Sequence, residues 1–193
     1  MVVFAHGSGS GRASPRGRSV AAMLHGAGFA TLLFDLLTPE EARSEQERAL
    51  TFDIGLLAGR LGEAVGWVRT EYADSFGAAA APVGLFGAST GAAAALSVAA
   101  RRPGDVAAVV SRGGRPDLAA GALGSVRAPT LLIVGGADRE VAVLNERAAR
   151  ELGCHNRLAV VPGAGHLFAE PGALHEVARL TTDWYRRHLS SGP

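Results

Sequence analysis

Lysine is missing altogether: all 19 cationic side chains in the 193 residues are arginines. This removes a Schiff-base lysine, a pyridoxal-phosphate lysine and the lysine of a phosphate-binding P-loop from the chemistry available. Cysteine is nearly absent as well. Cys154 stands alone, so it can form no internal disulfide, and no set of four ligands falls at zinc-motif spacing. A lone thiol suits a reducing compartment, so a cytoplasmic location is expected, with neither metal nor cofactor. Charge of one sign is not in excess: arginines are intermixed with 18 acidic residues for a net charge of +1, which leaves no basic stripe for nucleic acid. No run of about 18 apolar residues could span a bilayer, and Met1 to Gly9 lacks the charged and apolar regions of a signal peptide, so secretion and membrane insertion are disfavoured.

What is there is apolar material in short, punctuated runs. With 48% hydrophobic and 19% charged residues, the chain can bury one sizeable core and fold as a single domain over residues 1–193. Runs rich in β-branched and aliphatic residues at 1–5, 30–36, 83–86, 106–110, 130–134 and 157–161 are read as strands. Their near-continuous apolar character suits strands buried on both faces. Helical patterns occupy 16–27, 40–70 in two pieces, 90–101, 141–152 and 173–188. Strand and helix alternate, so the fold class expected is α/β with a mostly parallel sheet of about six strands flanked by helices. The stretch Gly77 to Pro82 reads as a loop. Ser111 to Asp117 reads as another, followed by a short helix that leaves no space for a lid domain.

The strongest chemical signal is Gly87-Ala88-Ser89-Thr90-Gly91, which directly follows the strand VGLF and directly precedes an alanine-rich helix. A serine on such a sharp strand-to-helix turn has its hydroxyl presented above the sheet as a nucleophile; the bland alternative is a serine that caps the helix. A hydroxyl needs a base. His166, in Val161-Pro162-Gly163-Ala164-Gly165-His166 after the last strand, is the candidate, while His25, His155, His175 and His188 lie in or beside helical segments. The base needs an acceptor for its other ring proton. Asp138, at the end of the strand-turn TLLIVGGAD, is the first choice, with Glu140 and Glu170 as alternatives. The order Ser, Asp, His is the one this kind of fold uses. Oxyanion donors are expected from the Thr90 N–H and from the loop His6 to Gly11, with Ser8 first and Gly9 second; His6 reads as a loop anchor. That loop does not complete G-x-G-x-x-G, and only Asp35 stands near the place of a ribose-binding acid, so dinucleotide binding is disfavoured. Asp35 reads as a pocket-rim or turn-capping residue. Arg112 and Arg115 fall near the carboxyl edge of the sheet, where forked guanidinium groups could hold a substrate carboxylate or phosphate, and Gly9 is placed with them in substrate binding.

With these residues in place, the strings HGSGSGRASPR, LLFDLLTPEE, FGASTG, SRGGRPDL and GGADREV resemble a bacterial subgroup of the dienelactone hydrolase family, in the α/β-hydrolase superfamily, over nearly the whole chain. The resemblance implies an α/β-hydrolase fold and an association with a phosphoribosyltransferase domain, to which members of the subgroup are sometimes joined. Dienelactone hydrolases proper carry cysteine in the elbow, where this chain has Ser89. They also begin with an antiparallel strand pair before the His-Gly strand, so a sheet with missing or reduced amino-terminal strands is expected. The reading that follows is a serine hydrolase acting on a carboxylic ester, thioester or lactone through an acyl-serine. Two others stay open: a non-catalytic domain that binds a small metabolite or a phosphoribosyltransferase partner, and an acyltransferase or peptidase with the same three residues. A homodimer is also left open.

Overall fold

The computed structural model describes residues 1–72 and 83–189. Six strands form one sheet: β1 Val2–Ala5, β2 Thr31–Leu33, β3 Val83–Ala88, β4 Val106–Arg112, β5 Thr130–Gly135 and β6 Asn156–Val161. All pairings are parallel and the spatial order is β2-β1-β3-β4-β5-β6. The helices are α1 Pro15–Gly26, α2 Glu47–Leu50, α3 Ile54–Trp67, α4 Thr90–Arg101, α5 Arg139–Glu151 and α6 Ala173–His188. This is the α/β-hydrolase architecture. The six strands include no antiparallel pair, and among the described residues no lid domain covers the sheet edge.

Strand pleating divides the core in two. Val2 and Phe4 of β1 join Val20 and Leu24 of α1 and Val177, Trp184 and Tyr185 of α6 on one face. Val3 and Ala5 join Leu57, Leu61 and Val65 of α3 and Ala93 to Leu96 of α4 on the other. The run Ala92 to Ala95 is fully buried, and its small side chains let α4 pack close behind the strand that feeds it. The buried Tyr185 hydroxyl donates to the Leu85 carbonyl at 2.6 Å, tying α6 to the middle of β3.

The chain runs from β1 outward to β2 and then back across β1 to β3, so the connections leaving β1 and β3 diverge above the sheet. A crevice opens at such a reversal, at the carboxyl ends of the strands. The loop after β1 and the elbow after β3 face each other there.

Three of the differences from the sequence expectation have a visible physical cause. β2 ends at Leu33 because Leu36 is engaged elsewhere: its N–H donates to His6 Nε2 at 2.9 Å and its carbonyl accepts from Arg60 at 2.7 Å. β4 runs on to Arg112, since Ser111 and Arg112 pair with Gly87 and Ala88 on one side and with Leu132 and Ile133 on the other; these two residues are strand, not loop. The helical stretch expected over 40–70 breaks into more than two pieces. A 3₁₀ turn at Glu41–Arg43 precedes α2, and α3 restarts where the Asp53 carboxylate caps Leu56 N–H at 2.9 Å. The loop expected at 77–82 lies outside the described residues. No helix among the described residues is long and apolar enough to cross a membrane.

The segment after β2 is pinned by an ion pair. Both Glu41 carboxylate oxygens accept from Arg60, at 2.6 and 2.8 Å. The Arg60 guanidinium, followed by the Thr38 N–H, holds the Glu41 carboxyl down at about 2. A carboxyl lowered on folding contributes stability above its unfolded value of about 4.5, and that contribution is lost as pH falls toward 2. Thermal melts of the protein and of Glu41→Gln are therefore expected to differ at pH 7 and to converge as the pH is lowered from 4.5 to 2. A constant difference over that range would assign the effect to packing instead.

Candidate active site

Ser89 sits at the junction of β3 and α4 with φ 50° and ψ −120°, one of two described non-glycine residues with positive φ. A side chain in this region costs roughly 1–3 kcal/mol, which the surroundings must hold in place. They do so from both sides. Ser89 N–H donates to the Arg112 carbonyl of β4 at 3.3 Å, and its own carbonyl accepts from Ala92 and Arg115 N–H groups at 3.1 Å each. The sharp turn also needs bare backbone beside it. A Cβ on Gly91 would strike the Ala5 and His6 carbonyl oxygens, and one on Gly87 would strike the Ala92 backbone. The Ser89 side chain makes no capping bond to α4, so the hydroxyl is free to face the crevice.

The carboxyl ends of β5 and β6 are laced together by their backbones. Gly136 N–H donates to Val161 O and Ala137 N–H to Ala164 O, both at 2.9 Å. This brings the two loops that carry Asp138 and His166 into register. His166 Nδ1 lies 2.7 Å from Asp138 Oδ2; with the carboxylate accepting, Nδ1 is the donor, which leaves Nε2 as the ring nitrogen turned away from the aspartate. The aspartate is the more buried partner, its side chain 15% exposed against 40% for the imidazole. Glu170 has a different task, since its Oε1 accepts from Gly165 N–H at 3.0 Å and fixes the loop just before the histidine. Glu140 lies in the first turn of α5.

Ser89 and His166 line one cavity of about 290 Å³, whose opposite wall is the loop after β1. Ser8 lines it, whereas Gly9, with φ 62°, shapes the turn without being part of the wall. The loop is anchored at both ends. His6 donates from Nδ1 to the Gly7 carbonyl at 3.0 Å and accepts from Leu36 N–H at Nε2, which occupies both of its nitrogens. Beyond it, Arg12 N–H donates to Asp35 at 2.6 Å. Thr90, buried, is the first residue of α4, so its N–H is among those with no partner inside the helix.

The two arginines named from sequence separate. Arg112 lines the cavity. Arg115 does not: its guanidinium is held by Asp117 through bonds of 2.8 and 2.7 Å, and it serves the elbow through its backbone N–H instead. The structure adds Arg16, in the first turn of α1, which sequence reasoning passed over and which lines the cavity with Arg112. Apolar walls come from Phe34, Phe86 and Leu167. Among the described residues no group of three or more His, Cys, Asp or Glu side chains is placed to hold a metal ion.

The fold is that of an α/β-hydrolase-type protein, with Ser89 on its sharp strand-to-helix turn. The chain belongs to the dienelactone hydrolase family, whose model matches residues 2–190. It is similar to the crystal structure of dienelactone hydrolase from Anabaena variabilis ATCC 29413, at 55% identity and a TM-score of 0.90, covering 97% of this chain and 86% of that one. A monoacylglycerol lipase of Paleococcus ferrophilus shares the fold at 20% identity and a TM-score of 0.75, covering 97% and 94%. Two Mycobacterium tuberculosis proteins, of strains CDC 1551 / Oshkosh and H37Rv, both named "Putative phosphoribosyl transferase", are 61% identical over 189 residues. That match takes in 98% of this chain but 41% of theirs, so the chain spans about two fifths of the length of these curated relatives.

Proposed function

We propose that the protein is a serine hydrolase that cleaves a carboxylic ester, thioester or lactone through an acyl-serine intermediate. The observation that carries this reading is the 2.7 Å bond between His166 Nδ1 and Asp138, made at the edge of the cavity into which the strained Ser89 turn faces. In this reaction Nε2 of His166 takes the Ser89 proton as Oγ attacks the carbonyl carbon. The resulting oxyanion is met by the Thr90 N–H and by a donor from the loop at Ser8. His166 returns the proton to the leaving oxygen or sulfur, then activates water to release the acid. Asp138 stays ionised and stabilises the imidazolium formed in both halves.

The family and the Anabaena structure support hydrolysis in general; the serine elbow supports this particular course of it. The deciding experiment is labelling with a fluorophosphonate probe, followed by mass spectrometry of the modified peptide. The adduct is expected on Ser89 and is expected to disappear in Ser89→Ala. A folded protein that takes up no label would favour the non-catalytic, ligand-binding reading. The names and lengths of the mycobacterial relatives support a further part of the proposal, that this unit works joined to or beside a phosphoribosyltransferase unit.

A further inference from the structure

One short stretch of backbone, Arg112 to Arg115, is in contact with both Ser89 and His166. On the serine side, Ser89 N–H donates to the Arg112 carbonyl at 3.3 Å, and Arg115 N–H donates to the Ser89 carbonyl at 3.1 Å. On the histidine side, Gly113 is buried with φ 51°. A Cβ placed on it would lie 3.3 Å from the His166 carbonyl oxygen and 3.5 Å from both Cε1 and Nδ1 of the ring. The imidazole therefore lies against the bare backbone of Gly113, whose own N–H is fixed to the Ile133 carbonyl at 2.8 Å. A displacement of this loop would move the hydroxyl and the base relative to each other.

A side chain on α5 holds the loop from behind. Asn145 is fully buried, and its Nδ2 donates to the Gly114 carbonyl at 3.0 Å and to the Val141 carbonyl of its own helix at 2.8 Å. Both acceptors are carbonyl oxygens, so the amide nitrogen must face them, and this fixes which way the amide points. Its Oδ1 is buried and has no hydrogen-bond partner among the described residues. An unpaired buried acceptor is unfavourable and an apolar side chain would not carry one, so what the amide supplies in return is the bond to Gly114. Gly114 is hemmed in from the other side, since a Cβ there would strike Ser111 Oγ and come within 2.7 Å of Ala92 Cβ. The helix that carries Asn145 starts directly after Asp138, the residue that holds His166 Nδ1. One amide thus links the helix behind Asp138 to the loop that touches Ser89 and His166.

Resting on the acyl-serine reading above, we propose that Asn145 is a positioning residue for the reaction: through the Gly114 carbonyl it fixes Gly113 against His166 and Arg115 N–H on the Ser89 carbonyl. It touches none of the reacting atoms. Its effect is on the distance and angle between Oγ and Nε2, so it acts on turnover and leaves substrate binding nearly unchanged.

Two variants separate this role from packing. In Asn145→Thr the hydroxyl can donate to the Val141 carbonyl four residues back, as Thr181 Oγ1 does to Val177 O at 2.7 Å on α6. Being one bond shorter than the amide nitrogen, it falls short of Gly114. Asn145→Ala loses both bonds. Tm, kcat and KM for one ester are measured for both variants and the unaltered protein. The His166 Cε1–H signal is followed by NMR, assigned by its loss in His166→Ala, with the His25 signal from α1 as internal reference. We expect kcat to fall about tenfold to a hundredfold, by a similar factor in both variants, with KM nearly unchanged. Tm should fall further in Asn145→Ala, and the His166 signal should move in both while that of His25 stays. Losses of kcat that track Tm, slight in Asn145→Thr and large in Asn145→Ala, or an unmoved His166 signal, would make Asn145 a packing residue and overturn the proposal. If Asn145→Ala does not fold, Asn145→Thr decides alone: unchanged kcat or an unmoved His166 signal overturns it. Should the unaltered protein cleave no ester and take no fluorophosphonate label, the hydrolase reading fails. The His166 signal in Asn145→Thr then judges the link by itself, a shift keeping it and no shift overturning it.

Discussion

Replacing Ser89 with alanine is expected to lower kcat for ester hydrolysis by about 10⁶-fold, and His166→Ala by a similar factor, while the double variant loses no more than either alone. The non-additivity is the informative part. Oγ without a base is a weak nucleophile, and Nε2 without Oγ has no proton to take, so removing one group leaves the other with nothing to contribute. What survives in each variant is the work of the oxyanion donors and of substrate binding, roughly 10³–10⁴-fold over water. Steady-state kinetics on one ester, with all three variants shown by thermal melts to be folded, make the measurement. Losses that multiply in the double variant would mean that Ser89 and His166 act in separate steps. The acyl-serine course would then be wrong, whatever the family.

Much of this site was legible before any coordinates, for a physical reason. A sharp strand-to-helix turn needs glycine where backbone crosses backbone, and Gly87 and Gly91 mark it in the sequence because a Cβ at either position meets main-chain atoms that cannot move. The inner strands β1, β3, β4 and β5 announced themselves as apolar runs, since both of their faces are covered. Strand ends were harder to read. Local propensity does not show that Leu36 gives its N–H to His6 and its carbonyl to Arg60, nor that Ser111 and Arg112 still pair on both sides. The two arginines after β4 look alike in SRGGRPDL. Only the fold shows that Asp117 holds one of them, while the other lines a cavity with no Asp or Glu among its described wall residues. Arg16 left a trace that could have been followed: the first turn of α1, opened by Ser14 and Pro15, carries a cation where the helix dipole favours an anion.

Asp138→Asn is expected to lower kcat by about 10⁴-fold with little change in fold. An asparagine keeps the size of the side chain and the position of its head group. However, its amide can donate to Nδ1, which would move the imidazole proton to Nε2 and turn the lone pair that should face Ser89 into an N–H. The carboxylate also supplies the charge that stabilises the imidazolium, and the amide does not. Glu170 is committed to Gly165 N–H, and the Asp138 carboxylate already holds Nδ1 at 2.7 Å. The loss should shrink at high pH, where hydroxide can act as the base, and fluorophosphonate labelling should slow in step with kcat. Glu170→Gln is the companion measurement. Its side chain can still accept from Gly165 N–H, so only a modest loss is expected, well under that of Asp138→Asn. If Asp138→Asn stays within tenfold of the unaltered protein while Glu170→Gln collapses, the acid that serves His166 in turnover is Glu170. The geometry seen in the resting site would then have to rearrange when substrate binds.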